Sequence, residues 1–137
     1  MVNGNHLMRR APLLILAPLL ALASCQTEQA PVQTPLSALD VMERVAVGAN
    51  NCWFKSGDPA FRDYALAPEL TSFSGRPRIL LVRRQSKDIR PLLVVQAEGK
   101  PAKLSAFGPM MGEPVKDRIS TDVTRWARGD KSCGGRA

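Results

Sequence analysis

Two apolar runs constrain this chain most: Ile79-Leu80-Leu81-Val82 and Leu92-Leu93-Val94-Val95. Each is strand-length and rich in branched residues, and the segment between them holds the polar turn Gln85-Ser86-Lys87-Asp88. That pattern predicts an antiparallel hairpin with strands over Arg78–Arg84 and Pro91–Glu98. Both strands are apolar on both faces at their centres. The sheet should therefore be covered on each side, or covered on one side and buried by a partner on the other. Gly99-Lys100-Pro101 makes a second turn, and Lys103–Phe107 a further strand. A short strand over Phe61–Leu66 would complete the sheet.

Helical periodicity brackets these strands. Leu36, Leu39, Met42, Ala46 and Ala49 recur at three- and four-residue steps, and Val41 and Val45 widen that face. Thr34 is placed to cap this helix, with Pro35 in its first position. Asn50-Asn51 should fray its end, just before Cys52. Later, Gly112 and Pro114 punctuate the start of a second helix. Val115, Ile119, Val123 and Trp126 form its inner stripe, Lys116, Asp117, Arg118, Asp122 and Arg125 its outer face, and Gly129 its end. Helix, strands, helix in that order predicts an α+β fold: a small antiparallel sheet of three to four strands flanked by an N-terminal and a C-terminal helix.

The first 24 residues have the zones of an export signal. Arg9 and Arg10 close a polar start, and Ala11–Leu22 is apolar apart from Pro12 and Pro18. About twelve apolar residues fall short of the roughly 20 that span a bilayer. Met8 is an alternative start to Met1. Leu22-Ala23-Ser24-Cys25 then closes the segment, and residues 8–25 resemble a bacterial lipoprotein precursor with its lipobox. The resemblance implies cleavage before Cys25 and acylation of its thiol. It implies a bacterial cell envelope location, with a lipid anchor in a membrane. Gln26, where enteric proteins kept in the inner membrane carry aspartate, leans towards the outer membrane facing the periplasm. Two or more acyl chains hold a protein stably where one does not. The alternative is an ordinary secretory signal followed by an incidental cysteine. Residues 25–35 read as a flexible tether and 36–137 as a single domain.

Lipidation would consume one of the 3 cysteines and leave Cys52 and Cys133. In an oxidising envelope these two would pair. Two buried thiols are the other possibility. Without the leader's two arginines, 17 of the 19 Lys+Arg remain against 12 Asp+Glu, about +5. Such a surface suits anionic lipid, lipopolysaccharide or an acidic envelope protein. Export makes nucleic acid an improbable partner. The only histidine, His6, lies in the leader, so the mature chain has none for a Ser-His-Asp triad, a Cys-His pair or a zinc site. No cofactor or metal is expected.

Three groups of residues invite a functional reading. Arg76, Arg78, Arg83, Arg84, Lys87 and Arg90 form a basic run opposed by Asp88, and arginine grips phosphate and carboxylate bidentately. The plainer reading is a charged hairpin end that prevents edge-to-edge aggregation. Alternation also sets Arg78 and Arg84 apart from Arg83. Trp53, Phe54, Phe61 and Tyr64 cluster around the turn Ser56-Gly57-Asp58-Pro59; they could stack on sugar rings, but core packing beside a disulfide is the commoner use. Asp58, Asp63 and Glu69 could serve glycoside hydrolysis only at the right separation. No G-x-S-x-G, S-x-x-K or Gly-rich phosphate loop occurs in the mature chain.

The expectation is a lipid-anchored, non-enzymatic binding or structural module. A carboxylate-dependent enzyme acting on envelope glycans is the alternative, followed by an inhibitor of a host hydrolase. The last is disfavoured because lysozymes and this chain would both be cationic.

Overall fold

The computed structural model describes residues 33–71 and 73–134. The leader over 1–24, Cys25 and the tether up to residue 32 lie outside the described residues. In chain order the elements are β1 (Gln33–Thr34), α1 (Ala38–Ala49), β2 (Tyr64–Glu69), β3 (Arg78–Arg83), β4 (Leu93–Glu98), β5 (Ala102–Phe107) and α2 (Lys116–Ala127). The fold is α+β, a four-stranded antiparallel sheet with two helices. The two residues of β1 add a short rung to one edge, so that the spatial order is β1-β5-β4-β3-β2.

The hairpin pairs Ile79 with Val95 and Leu81 with Leu93. Period-two alternation sends these four residues to one face, where they are fully buried with Ala97 and Ala102. The same core holds Val41, Met42, Val45, Ile119, Val123 and Trp126, so both helices serve this inner face. The opposite, outer face carries Leu80, paired with Ala67 and Val94, and Val94 is paired with Phe107. One side of the sheet is thus covered by helices, and apolar residues also occupy the other.

The strand expected over Phe61–Leu66 begins three residues later, at Tyr64. Phe61 sits in a turn instead, its N–H bonded to the Asp58 carbonyl and its ring in the core. β2 runs on through Pro68, which an edge strand tolerates because one side of its backbone needs no ladder bond.

The first helix begins later than Thr34. Ser37 is the N-cap, and its side chain accepts from the Asp40 N–H while the Asp40 carboxylate accepts from the Ser37 N–H. This reciprocal capping box satisfies two donors that a helix start leaves open. A third, the N–H of Ala38, donates to Gly99, while Ala102 donates back to Leu36, clamping the helix start to the β4–β5 turn. Leu39 is 42% exposed and lies off the inner stripe, which Ala38, Val41, Met42, Val45 and Ala49 make instead.

Asn50 and Asn51 do not fray the helix. The chain continues as a π-helical segment, Asn50–Lys55, whose wider turn carries Cys52 and Trp53 inward. Cys52 is bonded to Cys133, with 5.1 Å between their Cα atoms and 81 residues of sequence separation. At the other end, α2 stops at Gly129, whose φ of 97° suits glycine. Both helix ends therefore meet at one bridge.

Candidate functional site

Two carboxylates lie under the surface, each held by a part-buried arginine. Asp58, 3% exposed, accepts from Arg118 and from the N–H of Ala60. Asp122, equally buried, accepts from Arg125 and, at 2.8 Å, from the indole N–H of Trp53. Arg118 bridges the two acids, with its Nε 3.5 Å from Asp122. Two carboxylates thus face two guanidiniums, and the cluster is neutral. The bond from Asp58 holds the Arg118 guanidinium above its ordinary pKa, against the opposing effect of burial. The Arg118 guanidinium also sits 5.4 Å from the Phe61 ring centre.

This arrangement is packing. Trp53 stacks on Phe61 at 4.4 Å and meets Trp126 edge-on at 5.1 Å. The aromatic cluster is therefore core at Trp53 and Phe61, with Phe54 and Tyr64 partly buried against it. Residues Arg118, Asp122 and Arg125, expected on the outer face of α2, are drawn in because Asp122 is the acceptor for a buried indole. The chemistry available here is structural: each acid is saturated by donors, and neither opens to a substrate.

The three carboxylates singled out above are not brought together. Asp58 faces α2, and Asp63 is exposed beside Arg62. Glu69 lies on the outer sheet face, bonded to Arg78 at 2.6 Å. They do not share a cleft in which one could protonate and the other attack.

The basic run divides by strand geometry. Arg76 pairs with Glu98 at 3.1 Å and Arg78 with Glu69, both at the β2–β3 end of the sheet. Arg83, Arg84, Lys87 and Arg90 gather at the opposite, β3–β4 end, about 17 Å along the strand from Arg78 to Arg83 at 3.3 Å per residue. There Arg90 grips Asp88 bidentately, which lowers the Asp88 pKa to about 2. Arg84 donates to the Tyr64 carbonyl. Six basic residues therefore make a neutralised pair of ion pairs at one end and a cationic group at the other.

That cationic end adjoins apolar surface. Ile89, in the turn, is 81% exposed, and Phe107 at the end of β5 is 47% exposed. Register places Phe107 beside Val94 and next along the row from Leu80. Period-two reading of the two apolar runs had foreseen this second apolar face, but Ile89 and Phe107 carried no periodic signal.

A groove of about 430 Å³ also opens where α1 ends against α2. Val47, Gly48 and Trp126 line it, with Glu43, Arg44 and Lys131 at its margin. Among the described residues no group of His, Cys, Asp and Glu has the makings of a metal site. None of their helices is long and apolar enough to cross a membrane.

No family model, curated protein or solved structure matches this chain.

Proposed function

We propose that this chain is a lipid-anchored cell-envelope protein, acylated at Cys25, whose domain works by contact rather than by catalysis. Cleavage would fall between Ser24 and Cys25, and the anchor would sit in a bacterial membrane, with the outer membrane facing the periplasm favoured by Gln26. The observation that carries this reading is the Cys52–Cys133 bridge. It accounts for two of the 3 cysteines and leaves Cys25 as the odd one, at the position where a lipobox needs a reactive thiol. An odd cysteine in an exported chain otherwise invites unwanted cross-linking.

Binding is favoured over catalysis because the buried acids are occupied by arginines, while cationic and apolar side chains share an exposed end. The test is metabolic labelling with palmitate in bacterial cells expressing the full chain. Label should enter the wild type and be lost from Cys25→Ala. Label retained on that variant refutes the anchor.

A further inference from the structure

We infer that the open face of the whole sheet, opposite the two helices, is a docking surface for an anionic phospholipid bilayer. The inference rests on the acyl anchor proposed above for what brings the domain to a bilayer, and on the pattern of charge and apolar surface for its chemistry.

Charge divides between the two layers of the fold. Residues 61–107, which hold β2 to β5 and their turns, carry nine basic side chains against four acidic ones. The rest of the described chain, 33–60 and 108–134, carries seven of each, and its two helices lie on the inner face. The whole net charge of the described residues, +5, therefore belongs to the sheet layer. A field so one-sided turns that layer, and not the helices, towards a negative surface.

Apolar side chains follow the same division. Leu80, Val94 and Phe107 are neighbours in a row across β3, β4 and β5 on the open face, where Phe107 is half-exposed. Beyond the strands, Phe73 in the β2–β3 loop is fully exposed and Ile89 in the β3–β4 turn nearly so. Each end of the sheet thus bears an exposed apolar tip with basic residues at the same end: Phe73 with Arg76, Lys100 and Lys103, and Ile89 with Arg83, Lys87 and Arg90. Basic side chains around exposed apolar tips fit phosphate head groups over hydrocarbon. The helix α1 also exposes Leu39 and Val47, but they stand among Asp40, Glu43 and Arg44, a net negative set.

The anchor leaves from the sheet layer as well. Gln33 pairs with Lys103 at the edge of the sheet and lies eight residues past Cys25. That stretch reaches at most about 29 Å. A chain acylated at Cys25 keeps the sheet edge within this distance of the bilayer. A second copy is the other occupant an apolar face could take, but two such basic layers set face to face repel each other.

The experiment uses residues 26–137 without acyl groups, since the whole described fold lies within 33–134. Binding is measured at physiological salt by co-sedimentation with vesicles of phosphatidylcholine, alone or mixed with phosphatidylglycerol. The chain should bind the anionic vesicles at least about a hundredfold more tightly, and release them as salt rises. The ends of β3 stand about 17 Å apart, twice the screening length of about 8 Å, so each end is tested by itself. Arg83→Ser with Lys87→Ser at one end, and Lys100→Ser with Lys103→Ser at the other, should each weaken binding on the order of thirtyfold. Phe73→Ser and Ile89→Ser should each weaken it several-fold. Arg44→Ser with Lys131→Ser removes the same charge from the helix layer and should change binding by less than about twofold. Val47→Ser should leave it unchanged.

Equal loss in the helix-layer pair overturns the assignment, because the attraction would then be unspecific. Loss in one sheet-end pair alone also overturns it, since an end and not the face would then dock. So does indifference to phosphatidylglycerol, or a dimer in sedimentation equilibrium that Phe107→Ser abolishes while vesicles go unbound. A native protein whose intact mass shows no acyl groups refutes the anchor and leaves these vesicle measurements standing.

Discussion

The indole of Trp126 occupies the space where a side chain on Gly48 would begin. A Cβ there would stand 2.3 Å from the ring carbon Cδ2. Glycine lets α1 and α2 close on each other, and α2 keeps its place on the core through that contact. Intrinsic propensity alone would make Gly48→Ala stabilising by about 1 kcal/mol in a helix interior. The clash outweighs this, since the ring is buried and flanked by Trp53. Gly48→Ala should destabilise by about 1–3 kcal/mol in urea unfolding. A variant as stable as the wild type would mean that the helices do not approach so closely.

Asp122 supports two arginines and an indole. Asp122→Ala leaves the Trp53 N–H and two guanidiniums short of a partner in partly dry surroundings. Its cost should be about 3–5 kcal/mol. Asp122→Asn keeps an acceptor for Trp53 and should cost less than alanine. Chemical denaturation of both variants checks the order, and a reversal would show that the charge contributes nothing.

The Cys52–Cys133 bridge closes a long loop, 81 residues apart in sequence. In the chain-entropy account such a link contributes about 4.5 kcal/mol through the unfolded state. Cys52→Ser with Cys133→Ser should lower the unfolding midpoint accordingly, and dithiothreitol should do the same to the wild type only.

The Asp88 carboxyl should titrate near 2, well below its ordinary 3.8, because Arg90 hydrogen-bonds and then attracts the charged form. The sign follows from linkage: a depressed carboxylate pKa favours the closed turn above about 3.9 and loses that preference as pH falls through the lower value. The group lies at the surface in a local turn, so the effect belongs to the turn and not to global stability. Carboxyl-carbon NMR shifts against pH should give this midpoint, and Arg90→Ala should raise it.

Much of the fold was legible because it is written in local pattern. The hairpin of β3 and β4 followed from two apolar runs and a polar turn, and Ile119, Val123 and Trp126 lie on the inner stripe that their spacing drew. What escaped depends on contacts across the chain. Asp122 reads as a surface residue until Trp53, 69 positions away, supplies an indole N–H to it. Thr34 reads as a cap until Ser37 and Asp40 form theirs and Thr34 pairs with Ala102. The extension of β2 through Pro68 was not foreseen either, since only its place on an edge strand makes a residue without an N–H tolerable there. Of the candidate site, the basic residues were visible, but their division between two ends awaited the acids Glu69, Glu98 and Asp88. The buried role of Arg118 and Arg125 had no local signal at all.

The bridge also decides how load would travel. Residues 52 to 133 form a closed ring that contains β2 to β5 and α2, while β1 and α1 lie ahead of it. Tension entering at residue 33 first meets the two rungs of β1 on β5, then peels or shears α1, and at Cys52 crosses through sulfur to the tail. The four long strands sit off that line. A tug from the N-terminal side can strip one helix from the molecule while the hairpin at the far end stays slack and whole.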